Sequence, residues 1–116
     1  MRHRNTNKIL DRAKAPRELM LRNLASSIII YEQVTTTKAK ALAVRPLVEK
    51  MISLAKVGDL NSRRGLLSVL LQKNATKKSM EVLGTRYQDR PGGYTRITKI
   101  GVRKGDGAEM VQIALV

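Results

Sequence analysis

The 116-residue sequence has no cysteine, no tryptophan and no phenylalanine, and it has a single histidine. Without cysteine the chain cannot form a disulfide scaffold, a thiolate zinc site or a cysteine nucleophile, which favours an intracellular protein. One imidazole cannot build a metal site from several histidines. Acidic side chains are also scarce, with 9 against 23 lysines and arginines, so carboxylate pairs for acid–base or metal chemistry are poorly supported. We therefore expect no catalytic residues, no metal site, no cofactor and no small-molecule substrate.

Long apolar runs are missing as well. The longest, 66–71, contains a serine and is far shorter than the roughly 18 residues of a membrane span. No apolar segment of about 7–15 residues follows the basic first residues, which argues against a signal peptide. Hydrophobic residues nevertheless make up 42% of the chain, enough for the core of one domain. The sequence predicts one small soluble domain without membrane attachment.

The net charge is +14, which points to a polyanionic partner. One cluster of cations lies in residues 1–17, where Asp11 is the only acid and bulky apolar residues are few. Such a segment buries too little surface to offset the entropy of ordering. We predict a basic RNA-binding arm over residues 1–15 and a single domain over 16–116. The cations expected to contact RNA here are Arg2, Arg4, Lys8, Arg12, Lys14 and Arg17.

A second basic cluster lies between residues 77 and 104. Its members predicted to reach phosphates are Arg90, Arg96, Lys99, Arg103 and Lys104. Tyr94 lies among them, and it either stacks on a base or packs on the sheet. With three tyrosines as the only aromatic residues, one of which (Tyr31) is expected in the core, stacking on many bases is not the main mode. The composition favours recognition of the backbone and shape of a folded RNA.

Hydrophobic periodicity predicts the order helix, strand, three helices, two strands. The helices are expected at 16–31, at 38–57 after Thr37 as N-cap, after the N-cap Asp59, and at 75–83 between the N-cap Asn74 and a terminating Gly84. Pro46 predicts a kink or break near 44–46. The strands are expected at 33–36, 94–102 and 110–116, with the last two joined as a hairpin. We predict an α+β domain with a small mixed three-stranded sheet and helices packed on one face.

Several segments, in order and over nearly the whole chain, resemble the bacterial large-subunit ribosomal proteins numbered seventeen. The most specific are the N-terminal tetrapeptide 1–4 and the Gly-Gly-Tyr-Thr-Arg-Ile segment 92–97; the others are 35–41, 54–56, 63–64 and 104–108. Ala15 departs from the family pattern, in which a polar helix cap is common at this point. The resemblance adds His3, Arg63 and Arg64 to the residues expected to bind RNA.

The resemblance implies a non-enzymatic structural component of the large ribosomal subunit, with the α+β fold argued above. Its implied partners are large-subunit ribosomal RNA and neighbouring ribosomal proteins, including the one numbered thirty-two, on the solvent side toward the peptide exit. A cytoplasmic protein of the bacterial ribosome is expected, because the motif starts at Met1. The alternative is a DNA-binding architectural protein of the nucleoid type, which is also small and basic.

Overall fold

The computed structural model describes His3 and residues 8–116. A helix, a strand and a second helix are followed by a helical series and a final hairpin. The bounds are α1 Lys14–Tyr31, β1 Gln33–Thr37, α2 Lys38–Val57, α3 Leu60–Leu70, α4 Lys73–Lys78, a π-helical turn Ser79–Leu83, α5 Gly84–Arg86, β2 Thr95–Val102 and β3 Glu109–Leu115. The predicted α+β class, the helix–strand order and the hairpin are confirmed.

The three strands form one sheet in the order β1-β3-β2, and both pairs are antiparallel. The predicted mixed sheet is therefore wrong. The hairpin makes β3 antiparallel to β2. On its other side β3 pairs with β1, and there too the two strands run in opposite directions, so neither of the two pairs is parallel. Val34, Ile113 and Ile97 lie in register across the three strands and pack against the core.

The hydrophobic core lies between the sheet and the helices. Buried aliphatic side chains come mainly from α1, α2 and α3, with Val111 and Ile113 from the sheet; the largest helical ones are Ile28, Ile29, Val44, Val48, Ile52, Leu66 and Leu70. These residues recur at three- and four-residue spacing along each helix, so each helix presents one apolar stripe. The helices thereby cover one face of the sheet and leave its other face outward.

Helix α2 is continuous through Pro46, so the predicted break is absent. Pro46 and Leu42 are both exposed, so the Leu42 carbonyl, which receives no N–H from Pro46, is open to water. Helix α1 begins at Lys14, two residues before the predicted start at Pro16, after Ala13 as an N-cap without a side-chain bond. The predicted Asn74 cap is wrong, because Asn74 lies inside α4 and the N-cap is Gln72. The predicted Asp59 cap is confirmed, since its carboxylate accepts the Ser62 N–H at 2.7 Å.

Gly84 does not end the helical series, which was a further expectation. Its backbone is right-handed helical, with φ −58°, and the helix continues to Arg86. A Cβ on Gly84 would lie 2.8 Å from the carbonyl oxygen of Ala55 on α2. Gly84 is thus required for the close approach of α5 to α2, not for a turn.

A charged cluster fixes the junction between α1 and β1. Glu32 follows α1 with a left-handed backbone, φ 64°, and its carboxylate pairs with Arg86 and, at 3.1 Å, with Lys78. The Lys78 ammonium also donates to the Ile30 carbonyl at 2.9 Å. These contacts, that with Arg86 foremost, lower the pKa of Glu32 from 4.5 to about 2. The cluster ties the end of α1 to the helical series.

We expect Glu32→Gln to lower the free energy of unfolding near neutral pH by about 1 kcal/mol, because the paired carboxylate is partly exposed and screened by water. A carboxylate with a lowered pKa stabilises the fold above its unfolded pKa. The difference in the free energy of unfolding between the wild type and Glu32→Gln should therefore shrink as the pH falls from 4.5 toward 2. Urea unfolding at several pH values measures it, and a difference that does not change over this range would contradict the role of the ion pairs.

Candidate nucleic-acid interface

The distal half of the β2–β3 hairpin extends beyond the core. From Thr98 to Gly107 every residue is exposed, on both faces of the ribbon. A β-bulge between Lys99 and Gly101 shifts the register, and Ile100 is the extra residue. The hairpin carries Lys99, Arg103 and Lys104 at its exposed end. Exposed cations on an extended ribbon can reach phosphates that a flat surface cannot.

Acidic neighbours divide these cations into two groups. Lys99 lies 3.7 Å from Glu109, and the Arg103 guanidinium forks onto Asp106, with Nε 3.1 Å from Oδ1. The contact with Arg103 lowers the pKa of Asp106 to about 2, so this pair is charged under ordinary conditions. Within the part of the chain that the structure describes, neither Arg96 nor Lys104 forms an ion pair. Arg96 and Lys104 are therefore the hairpin cations whose charge no described carboxylate neutralises, and we expect them to bind an anionic ligand most strongly.

Tyr94 belongs to the core and not to the surface. Its side chain is 1% exposed, and its ring packs 5.0 Å from that of Tyr87. Of the two alternatives for Tyr94, packing against the fold is therefore correct, and base stacking in this conformation is excluded.

Lys56 holds Tyr94 and the loop before β2 in place. Its ammonium donates to the Tyr94 hydroxyl at 3.0 Å and to the Arg90 carbonyl, and it lies 5.4 Å from the ring centre. This contact lowers the pKa of Tyr94. Sequence reasoning missed the role of Lys56, because nothing in a lysine on α2 shows that it reaches a loop 34–38 residues away. Lys56 thereby positions Arg90, whose side chain is exposed.

Tyr31, predicted in the core, is 71% exposed. It is the last residue of α1, and the left-handed turn at Glu32 redirects the chain immediately after it. The apolar stripe of α1 is completed by Ile28 and Ile29, so no buried position remains for the ring. Tyr31 is an exposed aromatic residue outside both basic clusters.

The predicted arm is described in part. Arg2 and Arg4 lie outside the described residues, and His3 is exposed. Lys8, Lys14 and Arg17 line one open groove of about 460 Å³, in which Glu18 is the one acid among the lining residues. Arg12 donates from Nη1 to the Leu10 carbonyl at 2.9 Å in the turn before α1. The structure thus brings two of the predicted arm cations, Lys8 and Lys14, to one groove beside α2, together with Arg17 of the domain.

A second groove of about 430 Å³ connects this region to the hairpin. Lys8 and Leu42 line it too, together with Thr37, Lys38 and the hairpin base at Ala108 and Glu109. The arm groove, the start of α2 and the base of the hairpin therefore adjoin one another. We call this continuous region, with the exposed hairpin, the arm–hairpin surface.

Arg63 and Arg64 are exposed but lie elsewhere. Both are on α3, which packs against α1, α2 and α4 rather than against the sheet. Two basic regions therefore exist, the arm–hairpin surface and the arginine pair of α3. Among His3 and residues 8–116, no group of three or more metal-ligating side chains comes together, and no helix has the length and apolar content to cross a membrane.

Comparison with known proteins decides the family. Residues 20–116 match the family described as ribosomal protein L17. The chain belongs to this family. It is 53% identical over all 116 residues to "Large ribosomal subunit protein bL17" of Solibacter usitatus, covering 77% of that protein. The protein of the same name from Dehalococcoides mccartyi is 43% identical over the full chain, which covers 99% of it, and that from Gemmatimonas aurantiaca is 47% identical, with 98% covered.

Membership of the L17 family assigns the chain to the ribosome. It is a structural, non-enzymatic ribosomal protein of the bacterial type, which places its work at the cytoplasmic ribosome. The resemblance inferred from the tetrapeptide 1–4 and the segment 92–97 is confirmed.

Proposed function

We propose that this L17 protein is a structural constituent of the large ribosomal subunit that binds large-subunit ribosomal RNA through its N-terminal arm and the arm–hairpin surface. The single observation that carries this proposal is the adjoining position of the arm groove and the hairpin base, since Lys8 lines both grooves. Segments remote in sequence thus present their cations to one ligand.

The charge distribution supports a polyanionic ligand for this surface. The described residues contain five ion pairs, which use only Glu32, Asp106 and Glu109 as acids. Most lysines and arginines therefore have no acidic partner in that part of the chain. RNA phosphates would supply the missing counter-charges, and the lysines and arginines that bind them would displace the cations condensed on the RNA.

The arm and the domain have separate roles in this proposal. The domain, residues 16–116, carries the exposed hairpin, while the arm, residues 1–15, supplies further cations to the same RNA; its last cation, Lys14, is the first residue of α1. Arg63 and Arg64 on α3 form a second contact with RNA, remote from the hairpin. The arm residues Arg2, His3 and Arg4 act with Lys8, Arg12, Lys14 and Arg17.

We also propose that the chain contacts other large-subunit proteins, including the one numbered thirty-two. Helix α3 has two exposed leucines seven residues apart on one side, Leu60 and Leu67, and Leu71, the left-handed residue that follows the helix, is exposed as well. Exposed apolar side chains of this kind suit a protein neighbour better than a phosphate backbone.

We expect the hairpin cations to contribute unequally to RNA binding. Arg96→Gln and Lys104→Gln should each weaken binding to a large-subunit ribosomal RNA fragment about three- to tenfold, as expected for a charged hydrogen bond lost to solvent. Arg103→Gln is the matched control within the same hairpin. Its effect should be smaller, because the Arg103 charge is already shared with Asp106. Titration of labelled RNA at fixed salt gives the three affinities. An equal loss of affinity in all three variants would contradict the claim that the ion pair with Asp106 weakens the contribution of Arg103.

Competition separates this function from the nucleoid alternative. An architectural DNA-binding protein would be displaced from labelled RNA equally well by duplex DNA of the same length. We expect large-subunit ribosomal RNA to compete far more strongly than DNA, because the folded RNA offers the phosphate arrangement that the adjoining arm and hairpin require. Equal competition would overturn the ribosomal RNA assignment of the surface.

A further inference from the structure

The outward face of the sheet carries a regular polar array. Because alternate residues of a strand point to opposite faces, the rows beside the core-facing row of Val34, Ile113 and Ile97 point outward. One of these outward rows contains Thr35, Gln112 and Thr98 in register, and the next contains Gln33, Ala114 and Arg96. We call these two rows the outer sheet face.

Hydroxyl and amide groups dominate the outer sheet face. Thr35 and Thr98 are exposed, and Gln112 is half-buried. No side-chain hydrogen bond to Thr35, Gln112 or Thr98 occurs within His3 and residues 8–116. Each of these groups can both donate and accept a hydrogen bond.

The two rows of the outer sheet face contain no carboxylate. The acids next to the sheet bond to partners on other sides: Glu32 to Lys78 and Arg86, Glu49 to Thr95, and Glu109 to Lys38 and Lys99. Arg96 is the only charged side chain in the two rows, and it has no ion pair among the described residues. The outer sheet face is thus neutral and polar with one cationic edge, which is complementary to a polyanion.

We propose that the outer sheet face docks into the minor groove of an A-form RNA duplex and reads its 2′-hydroxyls through Thr35, Gln112 and Thr98. This inference rests on the proposed RNA-binding function and names the RNA feature that is read. The minor groove of A-form RNA is wide and shallow and displays 2′-hydroxyls along both edges. Three strands span roughly 10 Å, a width that such a groove can accept. Arg96 then meets a phosphate at the groove edge, and the small Ala114 beside it leaves room for the sugar.

A protein partner fits this face less well. Protein interfaces are built around aromatic and other large apolar anchors in desolvated centres. None of the three strands contains an aromatic residue. Hydroxyl groups that both donate and accept match the 2′-hydroxyl, which is also both donor and acceptor, and this is the group that distinguishes RNA from DNA.

The test replaces hydroxyls by methyl groups of the same shape in the full-length protein. The double variant Thr35→Val with Thr98→Val keeps β-branched residues in both strands and changes no charge. Thr36→Val is the matched control, since Thr36 pairs with Val111 on the helix side of the same strand. The probes are an RNA duplex and a 2′-O-methyl RNA duplex of the same sequence, which retains the A-form but cannot donate from its 2′ position. Circular dichroism confirms that each variant folds.

We expect the wild type and Thr36→Val to prefer the RNA duplex to the 2′-O-methyl duplex by roughly tenfold, and the double variant to lose this preference. The dependence of binding on salt should be the same in all three proteins, because no cation is removed.

Two results would overturn the inference while leaving the proposed function intact. In one, the double variant binds both duplexes as the wild type does, with the same salt dependence; if that variant then fails to enter large subunits, a protein partner covers the face. In the other, both duplexes are weakened equally. If the wild type binds RNA without salt dependence, the proposed function fails as well.

Discussion

Gly84→Ala is expected to lower the free energy of unfolding by about 2–3 kcal/mol, although alanine is the better helix former by about 1 kcal/mol. The reason is contact with backbone. The added Cβ would lie 2.8 Å from the Ala55 carbonyl oxygen and 3.3 Å from its carbon, and neither atom belongs to a flexible side chain. Helix α5 must then move away from α2, which opens the packing around the buried Leu83 and Tyr87. Chemical denaturation of the purified protein measures the change.

Gly92→Ala is the matched control for this prediction. No atom lies within 4 Å of a Cβ built on Gly92, and its backbone does not have a positive φ that would disfavour alanine. Both substitutions reduce the conformational entropy of the unfolded chain by a similar amount. The difference between the two variants therefore isolates the contact with α2. A Gly84→Ala protein as stable as Gly92→Ala would mean that α5 and α2 lie farther apart than in this structure.

The sequence was sufficient to predict those parts of the fold that depend on neighbours along the chain. Apolar spacing located α1 and α2, β-branched residues located β2 and β3, and the turn-rich segment 103–107 indicated the hairpin. Asp59 was recognised as an N-cap because its contact with Ser62 is local. Each of these features is decided by interactions within a few residues, which is the range that a periodic pattern reports.

Three further errors concern contacts between distant segments. The prediction that Gly84 ends a helix is wrong, because a glycine needed for close packing against Ala55 has the same sequence signature as one needed for a left-handed turn. The prediction of a buried Tyr31 is wrong, because the helical repeat does not show where the helix leaves the core. The direction of β3 relative to β1 depends on the path of the whole chain, which a local pattern of β-branched residues does not report.

The sequence predicts which cations belong to the candidate interface, but not how they lie together on the surface. Excess charge identified the cations, and their positions in the chain suggested an arm and a basic face. Nothing in the sequence shows that Lys8 lines one groove with the base of the hairpin, or that Glu109 lies beside Lys99. The conformation of Lys56, which holds the Arg90 carbonyl and Tyr94, was equally hidden.

Deletion of residues 1–12 is expected to make the salt dependence of RNA binding much shallower. The deletion removes Arg2, Arg4, Lys8 and Arg12, and it stops before α1, which begins at Lys14. Each phosphate contact contributes a slope of about −0.7 on single strands and −0.9 on duplexes to a plot of log K against log salt. If all four cations contact phosphates, the slope should decrease in magnitude by roughly 3 units. A salt series on a large-subunit ribosomal RNA fragment provides both slopes.

A full-length variant with the same four cations replaced by glutamine separates charge from chain length. Phosphate neutralisation predicts that this variant and the deletion lose the same slope, because the slope counts ionic contacts only. If the deletion weakens binding while the glutamine variant binds like the wild type, the arm acts through its backbone or polar groups instead. The core residues of α1 lie beyond the deleted segment, from Leu21 onward, so both proteins should unfold at the denaturant concentration of the wild type. A slope unchanged in both variants would reject the arm as an RNA-binding element and leave the hairpin and α3 as the contacts, since family membership does not depend on residues 1–12.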